Sequence, residues 1–374
     1  MKNKYPAKKL LIVLFVCLVA VIASCKKDKK AVVVPPDATP TGIGLVEESD
    51  SAYIRNLFIN VSQIGTQTVS DTSDYLFFDT GSGGMVFDAE GIIPSPIYST
   101  AGFNFTGDSV VVNGITITNQ TSTIQYGDDA NSTLTVYGNL AYAAVTIDQP
   151  GGDVVIKRLP FFLTYLAKDN HGTVYPPHSF DVFGVNPEYD LNFSNGVDLQ
   201  SPFNYFSPGT GLTKGFKIAA LSTGNFSYYG NYVNNVVTLG LKSSDLATSS
   251  GFSTSTLQYS PTYGYDPYIS GTVTYNGKTV STDMLFDTGT NAYSVIEDPT
   301  AATSDSLLPV NSTVAITTTS GFDFSYTTSN AYYVTYVEKS SQQDEYPTIF
   351  GIDFFLDNEY MLDIADHKMG VKNN

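Results

Sequence analysis

Along most of this chain, apolar and polar residues alternate in short runs broken by turn residues. "SVVVNGITITNQ" (109–120) and "GTVTYNGKTVST" (271–282) each set Asn-Gly between two alternating arms. Alternation turns one face of a strand to a core and the other to water, and Asn-Gly accepts the positive φ angles of a tight turn. Both stretches are therefore predicted hairpins. Helical apolar spacing is nowhere sustained beyond two or three turns, so only short helices are expected, near 186–204 and 292–304. The pattern predicts an all-β fold.

Over this pattern lies a long-range repeat. "LFFDTGS" (76–82) returns as "MLFDTGT" (284–290), and each copy is followed downstream by an apolar-apolar-Gly segment, "DVFGVN" (181–186) and "TIFGID" (348–353). One Asp-Thr-Gly is a weak signal. Two, with a shared preceding Phe, a following hydroxyl and a matching partner segment, indicate two copies of one lobe. A strand does not favour a carboxylate at its buried end unless something uses it. Thr-Gly lets the backbone turn, and Gly81 and Gly289 admit a close neighbour. Ser82 and Thr290 can donate to the outer carboxylate oxygens, while Thr80 and Thr288 brace the loops. If the lobes meet pseudo-symmetrically, Asp79 and Asp287 face each other and share a proton. One is then a base for water and the other an acid for a carbonyl oxygen.

Composition narrows the partners. Across 374 residues, 42% are apolar and 15% charged, the balance of a globular core, and 26 Tyr and 23 Phe, in short runs punctuated by 31 Gly, favour strands over helices. A net charge of −17 disfavours nucleic acid. His171, His178 and His367 form no zinc-type cluster, and the two cysteines are not spaced as a metal clip, so neither metal nor cofactor is expected. His171 and His178 flank a Pro-rich loop and suggest no Ser/His/Asp triad.

The first residues read as an address. "MKNKYPAKK" is basic, and "LLIVLFVCLVAVI" (10–22) is shorter than the roughly 20 residues of a membrane span. The run ends in "IASC" and resembles a bacterial lipoprotein signal peptide, 1–24, cleaved before a lipidated Cys25. The following "KKDKK" is similar to Bacteroidetes lipoproteins. The resemblance implies an extracytoplasmic protein held on the cell envelope, the outer membrane being the expected face. Removing 1–24 takes away four lysines and no acid, moving the charge from −17 to −21. Residues 25–44 then read as lipidated Cys and flexible tether. An N-terminal lobe, 45–224, and a C-terminal lobe, 225–374, follow.

From about residue 53 onward the sequence resembles the pepsin-like aspartic proteases. "STIQYGDDANSTLTVYGNLAY" (122–142) resembles their flap hairpin, with Tyr126 and Gly127 at the flap tyrosine. "PTIFGIDFFLDNEYMLDIADHKMGV" (347–371) is similar to their C-terminal stretch. The resemblance implies a bilobal fold of two pseudo-symmetric β-barrel-like lobes with the cleft between them. It also implies a monomer that hydrolyses polypeptides at Asp79 and Asp287 with no cofactor, and a dyad that must keep one aspartate charged and one neutral predicts an acidic to mildly acidic pH optimum. With only about 20 residues after Cys25 before the first strand, activity without proteolytic maturation is expected. Departures are the absence of Trp, Gly83-Gly84 where Ser-Asn is usual (expected to loosen the first loop), and Asp128 and Asp129 at the flap tip, read as solvated turn residues. A peptide-binding lipoprotein with the cleft kept and catalysis lost is the alternative.

Overall fold

Both Asn-Gly turns form. In the computed structural model Asn113 and Gly114 have φ of 53° and 74°, and Asn276 and Gly277 have 47° and 76°. Their arms pair across the turn, Val112 with Ile115 and Tyr275 with Lys278. The structure describes residues 39–374 except 52, 70–74, 127–133, 190, 303–305 and 340–346. Cys25, the signal segment, Gly127, Asp128 and Asp129 therefore lie outside the described residues. No helix among those described is long and apolar enough to cross a membrane.

Strands dominate, in a 16-stranded and an 8-stranded sheet with two small ribbons. The larger sheet runs from the first lobe into the second. Thr41–Glu48 pairs with both Asn56–Ile59 and Asn231–Leu241, and Thr213–Ile218 bridges Asn231–Leu241 to Asn358–Asp363. Because this first strand starts at Thr41, the last four residues assigned to the tether belong to the sheet.

The repeat is realised strand for strand. Leu76–Asp79 runs parallel to Val182–Val185, which pairs antiparallel with Gly83–Asp88 on its other side. In the second lobe Lys278–Phe286 runs parallel to Thr348–Phe350, which pairs antiparallel with Ser294–Glu297. Each apolar-apolar-Gly segment is thus the strand slotted between the two arms of its aspartate loop. Where a short helix was expected near 292–304, residues 294–297 form a strand buried at all four positions. The sheet needed a second arm there, and that outweighed local spacing. The helical signal near 186–204 reduces to one 3-10 turn, Pro202–Tyr205.

The loops hang from aromatic anchors. Phe78 and Phe286, each preceding its aspartate, are 0% and 1% exposed. Phe286 packs on Phe354 at 4.2 Å between ring centroids, and Phe78 lies near Phe203 at 6.4 Å. Burying a phenyl ring is worth roughly 1.5–3 kcal/mol, so these contacts fix where each strand ends.

Candidate active site

Where the two strands end, their loops face each other. A Cβ placed on Gly81 would lie 2.4 Å from Cγ of Asp287, and one on Gly289 would lie 2.6 Å from Oδ1 of Asp79. Only glycine lets each backbone come this close to the opposite carboxyl. The slotted strands impose the same condition from behind. A Cβ on Gly184 would meet the Ser82 carbonyl at 2.6 Å, and one on Gly351 the Thr290 carbonyl at 2.5 Å.

Each carboxyl is held the same way. Gly81 N–H donates to Asp79 Oδ1 at 2.6 Å, and Ser82 Oγ donates to Oδ2 at 2.5 Å. Gly289 N–H donates to Asp287 Oδ1 at 2.8 Å, and Thr290 Oγ1 donates to Oδ2 at 2.6 Å. The threonines cross between loops. Thr80 Oγ1 donates to the Phe286 carbonyl (2.8 Å) and accepts from Thr288 N–H (2.9 Å). Thr288 Oγ1 donates to the Phe78 carbonyl (2.7 Å) and accepts from Thr80 N–H (3.0 Å). Both threonines are almost completely buried, so these bonds are made without competing water.

The electrostatics are less even. Asp287 is 8% exposed, whereas Asp79 is half-buried. Burial raises the Asp287 carboxyl well above the ordinary carboxylate range. The charge of Asp79 and a hydrogen bond between the two side chains push the same way, against the lowering effect of Thr290 and Gly289. Asp287 is therefore the member of the pair whose surroundings favour holding a proton.

Tyr126 ends the strand Ile115–Tyr126 and rests on a second apolar cluster that includes Ile124, Leu134 and Phe162. With Gly81 and Ser82 of the first aspartate loop it lines one cavity of about 460 Å³. The two arms of the expected flap hairpin pair as far as Tyr126 and Leu134. Gly83 and Gly84 do not loosen the loop. A Cβ on Gly83 would sit 2.2 Å from the Glu188 carbonyl, and one on Gly84 would sit 2.3 Å from Leu199 Cγ, so small residues here permit tight packing.

Two features were not anticipated. Arg55 reaches from the first lobe to Asp353, two residues beyond Gly351, at 2.8 Å, with side-chain exposures of 4% and 11%. Its guanidinium also donates to the Ala331 carbonyl and lies over the Tyr332 ring at 4.2 Å. The only available signal was that Arg55 is one of two arginines in an acidic chain. The other feature is Glu188, in the wall of the cavity that Tyr126 lines.

Fold and site together define a two-lobed, pepsin-like architecture with a paired-aspartate centre. Among solved structures, the chain is similar to an aspartic proteinase from Irpex lacteus (TM-score 0.56, 16% identity, covering 90% of this chain and 98% of that one). It is similar also to basic 7S globulin from soybean (0.54, 12%, 90% and 96%) and to edgp (0.52, 13%, 91% and 96%). At these identities the likeness concerns the fold alone. No family model and no curated protein matches the sequence.

Proposed function

We propose that this protein is an aspartic endopeptidase, anchored to the cell envelope through lipid on Cys25. The observation that carries the catalytic reading is the dyad: two carboxyls in mutual contact, identically cradled, one of them driven to keep a proton. Asp79 takes a proton from water as the water oxygen bonds to the scissile carbonyl carbon, and Asp287 gives its proton to the carbonyl oxygen. Asp79 then passes its proton to the amide nitrogen, the C–N bond breaks, and Asp287 recovers a proton from the diol. Water activation and carbonyl polarisation are thus done by one pair of side chains. Tyr126 closes over the peptide and excludes solvent.

The structural neighbours include a proteinase and a globulin, so a binding role on the same fold is the competing reading. Incubating the protein with an unstructured polypeptide from pH 3 to 8 separates them. Cleavage blocked by statine-type peptides supports the peptidase. Binding of those peptides without cleavage at any pH supports the binding role. For the anchor, Cys25→Ala is expected to release the protein from the membrane fraction, and retention at wild-type level would contradict lipidation there.

A further inference from the structure

We infer that Glu188 makes one flank of the cleft a pocket for a lysine or arginine side chain of the substrate, beside the bond to be cut. This rests on the peptidase reading and adds a substrate class to it. The pocket runs from Gly81 and Ser82 in the first aspartate loop, past Tyr126, to a wall formed by Glu188, Tyr189 and Tyr263. At about 460 Å³ it admits a long side chain without displacing the wall.

The wall is fixed by its backbone. Glu188 pairs with Gly264 in an isolated bridge, its N–H donates to Asn186 Oδ1 at 2.8 Å, and Tyr189 N–H donates to the Tyr263 carbonyl at 2.7 Å. The carboxylate is therefore presented from a held segment, the arrangement a specificity residue needs. Among the described residues no cation forms an ion pair with it: the cations of the six ion pairs are engaged with Asp353, Asp181, Asp245, Asp298, Asp366 and Glu359. Glu188 instead has Asp266 as its charged neighbour, and burial together with that charge pushes its carboxyl up to about 7.

A half-buried acid with a like charge beside it and no partner costs free energy to ionise, and an incoming cation removes that cost. Three tyrosines, Tyr126, Tyr189 and Tyr263, line the same pocket, and aromatic side chains are favourable neighbours for a cation. Over longer range, a net charge of −17 draws cationic polypeptides toward the cleft. A neutral pocket would have used none of these features.

The test uses the full chain and matched peptides in which lysine or norleucine is placed at each of three positions on either side of the scissile bond. At one position lysine should raise kcat/KM by about tenfold or more over norleucine, at the highest pH where the norleucine peptide is still cut. Glu188→Gln should abolish that preference, its loss falling mainly on the lysine peptide, and Glu188→Lys should reverse it toward a glutamate peptide. Absence of a basic preference at every position overturns the inference, as does an equal loss on both peptides in Glu188→Gln. If no peptide is cut at all, the peptidase reading fails separately. Affinity for a lysine-bearing and a norleucine-bearing statine peptide then decides: tighter, Glu188-dependent binding of the former supports the pocket, and equal binding overturns it.

Discussion

Each dyad aspartate accepts from the glycine N–H two residues on and from the hydroxyl three residues on, yet only Asp287 is shut away from solvent. The surroundings diverge further out. Behind the second loop lies the Arg55–Asp353 ion pair, which ties the first lobe to the segment after Gly351. Beside the first loop lies the pocket with Glu188. Equal wiring with unequal burial teaches that duplication supplies the geometry of the pair, while differences outside the repeat decide which member keeps the proton.

The largest expected effect comes from breaking the brace on the second side. Arg55→Ala leaves the Asp353 carboxylate buried without its partner, at a cost of about 3–5 kcal/mol in denaturant unfolding. Arg55→Met combined with Asp353→Asn should recover part of that loss, because the amide oxygen still accepts from the Tyr333 N–H. A cost below about 1 kcal/mol for Arg55→Ala would mean that Asp353 finds another partner or water.

Symmetry of the cross-loop bonds gives the next test. Thr80→Val and Thr288→Val each strand a buried N–H and a buried carbonyl, so each should lose about 1–3 kcal/mol, and by similar amounts. The double variant should lose less than the sum, because the four bonds form one network. A large imbalance between the two would show that one loop carries the other.

The smallest effect sharpens the asymmetry. Because Asp287 binds its proton more tightly folded than unfolded, its favourable contribution is complete below the ordinary carboxylate value of 3.8 and fades as pH rises through the raised folded value. Asp287→Asn should therefore raise the melting temperature near neutral pH and lose that advantage on acidification. A constant offset from pH 3 to 8 would contradict the raised Asp287.

Much of this was legible in the sequence. The duplicated Asp-Thr-Gly letters mark positions where only those residue types satisfy the loop, and Asn-Gly marks turns whose φ angles few other pairs accept. The strand at 294–297 was not legible, since its four buried residues have no alternation to betray them. The fit of Gly83-Gly84 depends on Glu188 and Leu199, over a hundred residues away. Arg55 and Asp353 are separated by 298 positions, so nothing local couples them. Glu188 had no motif around it, and its significance came only with the cavity.

Whether the two aspartates act as one proton-sharing unit is tested most directly by a double-mutant cycle on peptide hydrolysis. Asp79→Asn and Asp287→Asn should each lower kcat by about 10³-fold or more, and the double variant should lie within a few-fold of either single one. Losses that multiply in the double variant, or substantial turnover in either single variant, would contradict such a unit.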